Sequence, residues 1–290
     1  MLKILRLEII VDSGSSKADW LVTKNFSFIT KIRTIGFNPF FHSADFISTE
    51  IKKQFLNLIN PNEINKIIYY GAGCSSDERN LLISNGISQF FTNAEIEIYH
   101  DILAAARATC MNDPGIACIL GTGSNSCLYN GVEIIDNLPS LGYLLGDEGS
   151  GSSFGKILIK KLFYRELSEE LLYKFNLKYG FSKEDILDRL YNHPHVNVFL
   201  AKFSEFFSEN KENKQVEEMV KECFREFFKC HVTKYKGYKD IPVHFVGSIG
   251  FIFSNILIEV AGEFQVKLGK VIRTPIEYLV EYHQHQIAIK

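Results

Sequence analysis

Two stretches of the sequence, about a hundred residues apart, follow one pattern, and this repeat constrains the fold more than any other feature. IIVDSGSSKADWLV and CILGTGSNSCLYN each read as an apolar strand, a turn rich in Gly and Ser, and a second apolar strand. The matching positions form three pairs: Asp12 with Gly121, Gly14 with Gly123, and Ser15 with Ser124. Because self-similarity of this kind signals a duplicated unit, we expect two α/β halves that each begin with a β-hairpin.

The rest of the chain is consistent with two halves of this kind. Strand and helix patterns alternate as far as about residue 110, where the second hairpin pattern begins. Helical periodicity dominates residues 156–238, and a last helix follows the Thr-Pro of TPIEYLVEYHQHQ. With 290 residues, of which 46% are hydrophobic and 23% are charged, the chain is long and apolar enough for two folded domains.

Composition argues against several classes of function. The formal net charge of −2 disfavours a general nucleic-acid-binding protein, which usually carries a basic stripe. The six cysteines form no C-x-x-C pair, so they predict reduced thiols and no zinc site. The apolar start carries Arg6, Glu8 and Asp12 and lacks the cleavage site of a signal peptide. No apolar run reaches the roughly 18–20 residues that cross a membrane. We therefore expect a cytoplasmic protein with neither a nucleic-acid nor a membrane partner.

Several glycine-rich segments are candidates for binding an anion: DSGSSK, GTGS, GDEGSGSS and VGSIG. Glycine has no Cβ, so backbone N–H groups stay exposed at such turns and can form a nest for phosphate. One isolated turn is more often an ordinary hairpin turn, but the recurrence of the type favours a nucleotide. The segments match neither the P-loop pattern G-x-x-x-x-G-K-[ST] nor a G-x-G-x-x-G that opens a helix, so a P-loop is excluded and a Rossmann site is disfavoured.

Three aspartates follow strands or lie within these segments: Asp12, Asp101 and Asp147. Transfer of a phosphoryl group needs Mg²⁺ to offset the phosphate charge and a carboxylate to orient and deprotonate the acceptor hydroxyl. Asp12 ends a buried apolar strand, which costs free energy unless something pairs with its charge. Asp101 opens the predicted helix DILAAARATC, where an aspartate is also a favoured N-cap. The three acids are therefore candidates for metal binding, catalysis and substrate binding.

Taken in order, these segments resemble those of the BadF/BadG/BcrA/BcrD-type ATPases, and within that family those of the N-acetylglucosamine kinases. The matching motifs are the Asp-x-Gly-Ser-Ser-Lys of residues 12–17, Asp101, the Gly-Thr-Gly-Ser of residues 121–124, the Gly-Asp-Glu-Gly-Ser-Gly of residues 146–151, and the Gly-Ser of residues 247–248. The family belongs to the sugar kinase, heat-shock chaperone and actin superfamily. The resemblance covers nearly the whole chain.

The resemblance implies an α/β fold of two ribonuclease H-like, actin-like ATPase domains around a nucleotide cleft. The N-terminal α/β domain would comprise residues 1–109, joined by the C-terminal helix 275–290. The C-terminal α/β domain would comprise residues 110–274 and include a helical insertion. Family membership also suggests a homodimer.

The resemblance further implies ATP and Mg²⁺ as cofactors, with Asp12 near the metal and contacting it through water. The implied nucleotide-binding residues are Asp12, Gly14, Ser15, Ser16, Lys17, Gly121, Thr122, Gly123, Ser124, Gly247 and Ser248. Ser16 stands where the family commonly has Thr and keeps the hydroxyl. Ala18 stands where a second Thr is common and removes one polar contact. From its position in the turn alone, Lys17 is most simply a solvated residue.

For the acceptor, the resemblance implies a small amino sugar, N-acetylglucosamine or N-acetylmuramic acid, phosphorylated at its 6-hydroxyl with Asp101 as general base. The implied substrate-binding residues are Asn38, Ser75, Asp101, Thr122, Gly146 and Asp147. The glycines of residues 141–155 would then let the backbone approach both sugar and phosphate. For Glu148, a catalytic role and a structural role both stay open.

Two other functions stay open at this point. An ATPase activator of a radical dehydratase or reductase would need thiolates for an iron–sulfur cluster, and Cys110, Cys118 and Cys127 are the only loose grouping. A non-catalytic nucleotide- or sugar-binding module would need no general base. Outside these candidates, His283 and His285 of the last helix are expected to be solvated.

Overall fold

The structure of the protein, a computed structural model, describes residues 7–289 and the side chains of residues 7–286. Its contacts divide these residues into two units. Unit 1 comprises residues 7–113, 131–133 and 274–289, and unit 2 comprises residues 114–130 and 134–273. Arg6 and residue 290, the last residue of the predicted helix 275–290, lie outside the described residues.

Unit 1 begins with the first predicted hairpin and continues with alternating helices and strands. Its elements up to residue 110 are β1 (Leu7–Ser13), β2 (Lys17–Lys24), β3 (Ser27–Ile35), α1 (Ala44–Phe55), a 3₁₀ turn (Pro61–Glu63), β4 (Ile64–Gly71), α2 (Asp77–Ser88), β5 (Glu95–His100) and α3 (Asp101–Cys110). β1 pairs with β2 in antiparallel fashion and with β4 in parallel fashion, and β4 pairs in parallel with β5. The sheet order is β3-β2-β1-β4-β5.

Unit 2 begins with the second predicted hairpin and carries most of the helices. Its elements are β6 (Gly115–Leu120), β7 (Ser124–Tyr129), β8 (Ile134–Leu138), α4 (Gly142–Leu145), α5 (Gly151–Phe163), α6 (Glu169–Lys178), α7 (Lys183–Tyr191), α8 (Val196–Lys202), α9 (Ser204–Glu209), α10 (Lys214–Cys230), a 3₁₀ turn (Val232–Lys234), β9 (Val243–Val246), α11 (Ser248–Ile252), α12 (Ser254–Glu263) and β10 (Leu268–Ile272). The sheet order is β10-β9-β6-β7-β8.

The two sheets have one topology. Read from the far edge of its hairpin, the second sheet runs β8-β7-β6-β9-β10, which repeats the order of the first sheet strand for strand. In each, a three-stranded antiparallel meander is extended by two parallel strands. The predicted α/β fold with a duplicated ribonuclease H-like sheet is therefore confirmed.

Each unit has its own aromatic core. In unit 1 the ring of Trp20 lies 5.2 Å from that of Phe55 and 6.2 Å from that of Tyr69, both in edge-on geometry. In unit 2 the ring of Phe154 on α5 lies 4.8 Å from Phe207 and 5.4 Å from Phe253. Aromatic side chains bury large apolar areas, so these clusters account for the many phenylalanines in the helical stretch of unit 2.

The last helix, α13 (Ile276–Ile289), belongs to unit 1 and packs on α3. Arg107 of α3 donates to the hydroxyl oxygen of Tyr70 at 2.8 Å, and that hydroxyl lies 2.9 Å from Nε2 of His283. Burial, and then the charge of Arg107, lowers the pKa of His283 to about 4. The expectation that His283 is solvated is therefore wrong, because its ring is partly buried and contacts the hydroxyl of Tyr70. His285, in contrast, is exposed.

Among the helices of residues 7–289, none combines the length and the apolar character that crossing a membrane requires.

Candidate active site

The parallel strands of unit 1 bring two of the predicted acids to one edge of the sheet. The register pairs Ser13 of β1 with Gly71 of β4, and Gly71 with His100 of β5. Asp12 lies one residue before this row, and Asp101 lies one residue after it. Ligands of open α/β sheets bind outside the carboxyl ends of the strands, so this edge is the candidate site in unit 1.

Asp12 is the most perturbed acid of this edge. Its pKa is raised to about 7, first by burial and then by the negative charges of Asp101 and Asp19. Asp19, directly opposite in the hairpin, differs because Arg33 lies 2.8 Å and Lys31 lies 3.3 Å from its carboxylate. Burial raises the pKa of Asp19, but hydrogen bonds from the two cations outweigh it and lower the pKa overall. When ionised, Asp12 therefore carries a charge that its surroundings, including Lys17 and Lys31, compensate only in part.

Asp101 is the first residue of α3, and the N-cap is His100, whose Nδ1 accepts the N–H of Ile102 at 3.3 Å. The expectation of an N-cap at Asp101 is therefore wrong by one residue. Nδ1 of His100 also lies 2.7 Å from Oδ1 of Asp101, without the alignment of a hydrogen bond. Oδ1 is buried and has no hydrogen-bond partner among the described residues. One carboxylate oxygen of Asp101 is thus available to accept a proton.

Asn38 and Ser75 lie on two segments that pack together in unit 1. A Cβ on Gly73, whose φ is +81°, would come 3.0 Å from Oδ1 of Asn38. That oxygen accepts the N–H of Phe40 at 3.0 Å, which leaves the side-chain amide nitrogen of Asn38 without a partner among the described residues. Oγ of Ser75 accepts from Arg79 at 3.1 Å, and the guanidinium of Arg79 lies 4.5 Å over the ring of Phe40. The two residues predicted to bind the sugar therefore lie on neighbouring segments of unit 1 and can line the same side of a binding site.

The turn of the first hairpin is supported from behind and exposed at its tip. The N–H of Gly14 donates to the carbonyl of Lys17 at 3.0 Å. Gly36 packs so closely that a Cβ there would lie 1.9 Å from the carbonyl oxygen of Gly14. Ser16 and Lys17 are exposed and Ser15 is partly exposed. The backbone of this turn is thereby held while its tip stays accessible.

The turn of the second hairpin is held by the start of α5. The N–H of Gly121 donates to the carbonyl of Gly123 at 3.0 Å. The carbonyl of Gly121 accepts the N–H of Gly151 at 2.8 Å, and the carbonyl of Thr122 accepts the N–H of Ser152 at 3.1 Å. These two helix N–H groups are used to hold the turn, so any anion would have to be bound by the turn itself.

Asp147 connects the glycine loop to this turn within unit 2. Its Oδ1 accepts the N–H of Ser124 at 3.0 Å, and its Oδ2 accepts from the hydroxyl of Ser152 at 3.5 Å. The residue is 8% exposed, and burial is the main cause that raises the pKa of its carboxyl. Its φ of 60° is uncommon for a residue with a side chain. The hydroxyl of Ser124 is buried and has no hydrogen-bond partner among the described residues.

Gly247 and Ser248 lie next to the second turn. β9 is parallel to β6, with Val246 opposite Ile119, so the residues that follow these strands are neighbours. A Cβ on Gly247 would lie 2.2 Å from the carbonyl oxygen of Leu120, and φ of Gly247 is 127°. Only glycine fits this position, and Ser248 then begins α11.

Three glycines of the loop 141–155 approach helices. A Cβ on Gly149 would come 2.9 Å from that of Phe227 on α10, and one on Gly151 would come 3.1 Å from that of Ala201 on α8. A Cβ on Gly155 would come 2.2 Å from the carbonyl oxygen of Leu200. The interpretation that these glycines exist for a ligand therefore needs correction, because helix packing already requires Gly149 and Gly155 and brings Gly151 close to α8.

Sequence reasoning missed two residues that hold the glycine loop. The ammonium of Lys156 donates to the carbonyls of Tyr143 and Gly146, each at 2.9 Å. Nε2 of His231, at the end of α10, lies 3.2 Å from Oε2 of Glu148. Neither residue belongs to a motif, and His231 is 83 positions away from its partner in sequence. No sequence signal indicated either contact.

The predicted site residues thus fall into one group in each unit. Unit 1 holds Asp12, Gly14, Ser15, Ser16, Lys17, Asn38, Ser75 and Asp101. Unit 2 holds Gly121, Thr122, Gly123, Ser124, Gly146, Asp147, Gly247 and Ser248.

Comparison with known proteins identifies the family. No protein-family model and no curated protein matches the chain. Among solved structures, the "putative N-acetylglucosamine kinase" of Porphyromonas gingivalis is 36% identical, with a TM-score of 0.91, over 96% of this chain and 99% of that one.

Two further structures show the fold alone. The "putative N-acetylglucosamine kinase" of Chromobacterium violaceum is 14% identical with a TM-score of 0.71, over 97% of this chain and 99% of that one. A ROK family glucokinase from Streptomyces griseus, in complex with glucose and AMPPNP, is also 14% identical, with a TM-score of 0.54, over 95% and 97% of the two chains. From the 36% identity over nearly all of both chains, we conclude that the chain belongs to the N-acetylglucosamine kinase-like branch of the sugar kinase, heat-shock chaperone and actin superfamily, and that it is a sugar kinase.

Proposed function

We propose that this sugar kinase transfers the γ-phosphate of ATP to the 6-hydroxyl of an N-acetylated amino sugar, either N-acetylglucosamine or N-acetylmuramic acid. The observation that carries the proposal is Asp101, which lies at the same sheet edge as Asp12 and has one buried carboxylate oxygen that makes no aligned hydrogen bond among the described residues. The names of the similar structures support an N-acetylamino sugar, and the AMPPNP of the glucokinase supports ATP.

In the proposed reaction, Asp101 accepts the proton of the 6-hydroxyl as its oxygen attacks the γ-phosphorus. The bond between the γ-phosphorus and the oxygen that bridges it to the β-phosphate breaks, and ADP leaves with that electron pair. Asp101 lies in the first turn of α3, where the positive end of the helix dipole interacts favourably with negative charge. A positioned general base of this kind contributes about 10²–10⁴-fold to the rate.

The nucleotide phosphates are proposed to contact the two hairpin turns. The tip of the first turn offers the exposed hydroxyl of Ser16 and the exposed ammonium of Lys17. In the second turn, the hydroxyl of Ser124 has no hydrogen-bond partner among the described residues, and a buried polar atom without a partner is costly unless a ligand satisfies it. Gly247 and Ser248 would meet the adenosine.

Asp12 is the residue of this chain that would hold Mg²⁺, directly or through water. Its raised pKa reports an uncompensated negative charge beside Asp101, which a divalent cation would stabilise. No cluster of three or more His, Cys, Asp or Glu side chains suited to a metal occurs among residues 7–286. This agrees with Mg²⁺, which is usually held by one or two carboxylates together with phosphates and water. When bound, the ion offsets the negative charge of the phosphates.

The sugar hydroxyls are proposed to meet Asn38 and Ser75 in unit 1 and Asp147 in unit 2. The unengaged amide nitrogen of Asn38 can donate to a hydroxyl, and the hydroxyl of Ser75 can still donate because its oxygen only accepts from Arg79. Asp147 already accepts from Ser124, so it would use its remaining acceptor positions.

An iron–sulfur ATPase activator is not proposed. The thiols that would ligate a cluster are those of Cys110, Cys118 and Cys127, and all three side chains are buried, with Cys118 and Cys127 fully so. They lie on α3, β6 and β7, where they belong to the packing of the two units.

A coupled ADP-release assay over hexoses, N-acetylhexosamines and N-acetylmuramic acid tests the proposal. We expect ADP only with an N-acetylated amino sugar, and ³¹P-coupled NMR should place the phosphate on carbon 6. The 6-deoxy analogue of the active sugar is the matched control, because it keeps the other contacts and lacks the acceptor. ADP release that does not depend on the sugar, or a phosphate on carbon 1, would overturn the proposal.

A further inference from the structure

A row of hydrogen bonds in unit 2 joins Glu148, in the glycine loop, to β8 at the edge of the sheet. Nε2 of His231 lies 3.2 Å from Oε2 of Glu148, and Nδ1 of His231 lies 3.2 Å from Oγ of Ser126 on β7. Oγ of Ser126 lies 2.8 Å from the hydroxyl of Tyr235, which accepts the backbone N–H of Leu138 at 3.2 Å. The side chains of Ser126, Tyr235 and His231 are all buried.

With a neutral His231 ring, the two ends of this row determine the direction of every bond in it. A carboxylate such as that of Glu148 can only accept, so Nε2 of His231 carries a hydrogen and Nδ1 accepts from Ser126. Ser126 has then used its one hydrogen and accepts from the hydroxyl of Tyr235. The N–H of Leu138 can only donate, so the hydroxyl oxygen of Tyr235 accepts there. With the ring neutral, one arrangement of hydrogens satisfies all four bonds.

The order Glu148, His231, Ser126 resembles that of a hydrolytic triad, but Ser126 cannot be a nucleophile. Its relative exposure is 0%, and its hydroxyl is engaged on both sides. A nucleophile must reach its substrate. The row therefore has a structural role: it connects the side chain of Glu148 to the sheet and fixes its position.

The segment that Glu148 anchors is the one that places Asp147. Asp147 has a φ of 60°, a conformation that costs free energy and persists only when the surroundings enforce it. The ring of Phe227 stacks on that of His231 at 4.7 Å, and Phe227 also packs against Gly149, where an added Cβ would lie 2.9 Å from the Cβ of Phe227. The end of α10 thus contacts Glu148 and Gly149, the two residues that follow Asp147, the first by a polar contact and the second by packing.

We propose that Glu148 and His231 are positioning residues that keep Asp147 against the Gly121–Ser124 turn and ready for the acceptor sugar. This inference rests on the proposed role of Asp147 in binding the sugar. It assigns Glu148 a structural task, since its carboxylate is occupied by His231. His231 acts through Glu148 and touches neither substrate.

Two substitutions of His231 separate its two hydrogen bonds. His231→Gln places an amide near the position of Nε2 and keeps a donor for Glu148, whereas His231→Asn places its amide near the position of Nδ1 and keeps only the contact with Ser126. Both remove the ring that stacks on Phe227, so each controls for the loss of packing in the other. Glu148→Ala is the third variant and removes the anchor itself.

We expect His231→Asn and Glu148→Ala to raise KM for the acceptor sugar about tenfold, with kcat within about threefold, and His231→Gln to restore KM to within about threefold of the wild-type value. Hydrogen exchange of the Ser124 amide, followed by NMR, gives a readout that needs no sugar, because that N–H donates to Asp147. Its protection should fall in His231→Asn and Glu148→Ala and persist in His231→Gln.

Equal KM and equal exchange in the Gln and Asn variants would overturn the inference and leave His231 as a packing residue. If the wild-type protein phosphorylates no amino sugar, the proposed function fails. The exchange data then still decide whether the row of hydrogen bonds holds Asp147 in place.

Discussion

The two hairpin turns share a topology but solve different electrostatic problems. In unit 1, Asp12 ends the first strand, and its charge lies near that of Asp101. In unit 2, Gly121 stands at the matching position, and the nearest carboxylate, that of Asp147, is engaged by the N–H of Ser124. The first turn is open at its tip, whereas the second is enclosed by α5 and the glycine loop.

This difference suggests how a duplicated unit can specialise. One copy keeps an uncompensated acid, which is unfavourable for the folded protein alone and useful only when a cation or a proton-bearing substrate arrives. In the other copy, polar groups form hydrogen bonds that hold the backbone of the turn. Substitutions at matched positions of the two copies should therefore have different consequences.

The largest effect is expected at Asp101 of unit 1, the proposed general base. Asp101→Asn should lower turnover by about 10²–10⁴-fold, because the amide cannot accept the proton of the acceptor hydroxyl. Nucleotide affinity, measured by calorimetric titration with Mg²⁺ and a non-hydrolysable ATP analogue, should stay within about threefold. Asp147→Asn is the comparison in unit 2, and it should change KM for the sugar more than turnover. Normal turnover in Asp101→Asn would remove this residue from the role of base.

A smaller effect, with opposite signs for function and stability, is expected at Asp12. The folded-state pKa of about 7 lies above the ordinary value of 3.8, so between these pH values the folded state binds more protons than the unfolded state. The ionised carboxylate therefore destabilises the protein above about pH 7, and this penalty disappears as the pH falls towards 4. Asp12→Asn should weaken Mg·ATP binding about tenfold or more, yet stabilise the folded protein at pH 8 by on the order of 2 kcal/mol, and by less than half as much at pH 5.

Asp19, opposite Asp12 in the hairpin, is the matched control. Its pKa is lowered by Arg33 and Lys31 despite burial, so its ionised form stabilises the protein at every pH above its ordinary value of 3.8. Asp19→Asn should lower stability by roughly 1–3 kcal/mol at both pH 8 and pH 5. Calorimetric melting at the two pH values checks both variants. A lower Tm for Asp12→Asn at pH 8 would contradict the assignment of an uncompensated charge.

The smallest effect concerns the matched glycines of the two turns. A Cβ on Gly123 would lie 2.8 Å from Oδ1 of Asp147, whereas one on Gly14 would meet only the carbonyl of Lys17 at 3.8 Å. Gly123→Ala should cost about 1–3 kcal/mol of stability because Asp147 must move away from Ser124. Gly14→Ala should change stability by less than about 1 kcal/mol. Urea unfolding of both variants measures the difference, and equal losses would mean that the two turns are equally enclosed.

The fold was accessible from sequence because its signals are local. The alternation of strand and helix and the repeated hairpin pattern each depend on residues close together in the chain, and the duplication of the sheet follows from them. The placement of Asp12 and Asp101 at one edge also follows, since each comes at the end of a parallel strand.

The contacts that hold the site in place could not be predicted from the sequence, because they join residues that are far apart in the chain. His231 reaches Glu148 from the end of a helix whose own pattern specifies only burial. The glycines at 149, 151 and 155 look like those of a ligand-binding loop, but their close neighbours are helices α8 and α10. His283 lies on a helix among polar residues, so its sequence neighbours suggest exposure. Only the fold shows that Tyr70, which is distant in sequence, contacts its ring.

The placement of α13 bears on how the chain is made. Unit 1 is discontinuous, since α13 is synthesised after the whole of unit 2. Until then, Tyr70 and Arg107 lack the companions that α13 brings, among them His283 and Tyr282. On the ribosome, the middle of the chain should therefore reach its native form first, and the half that carries Asp101 should be completed last.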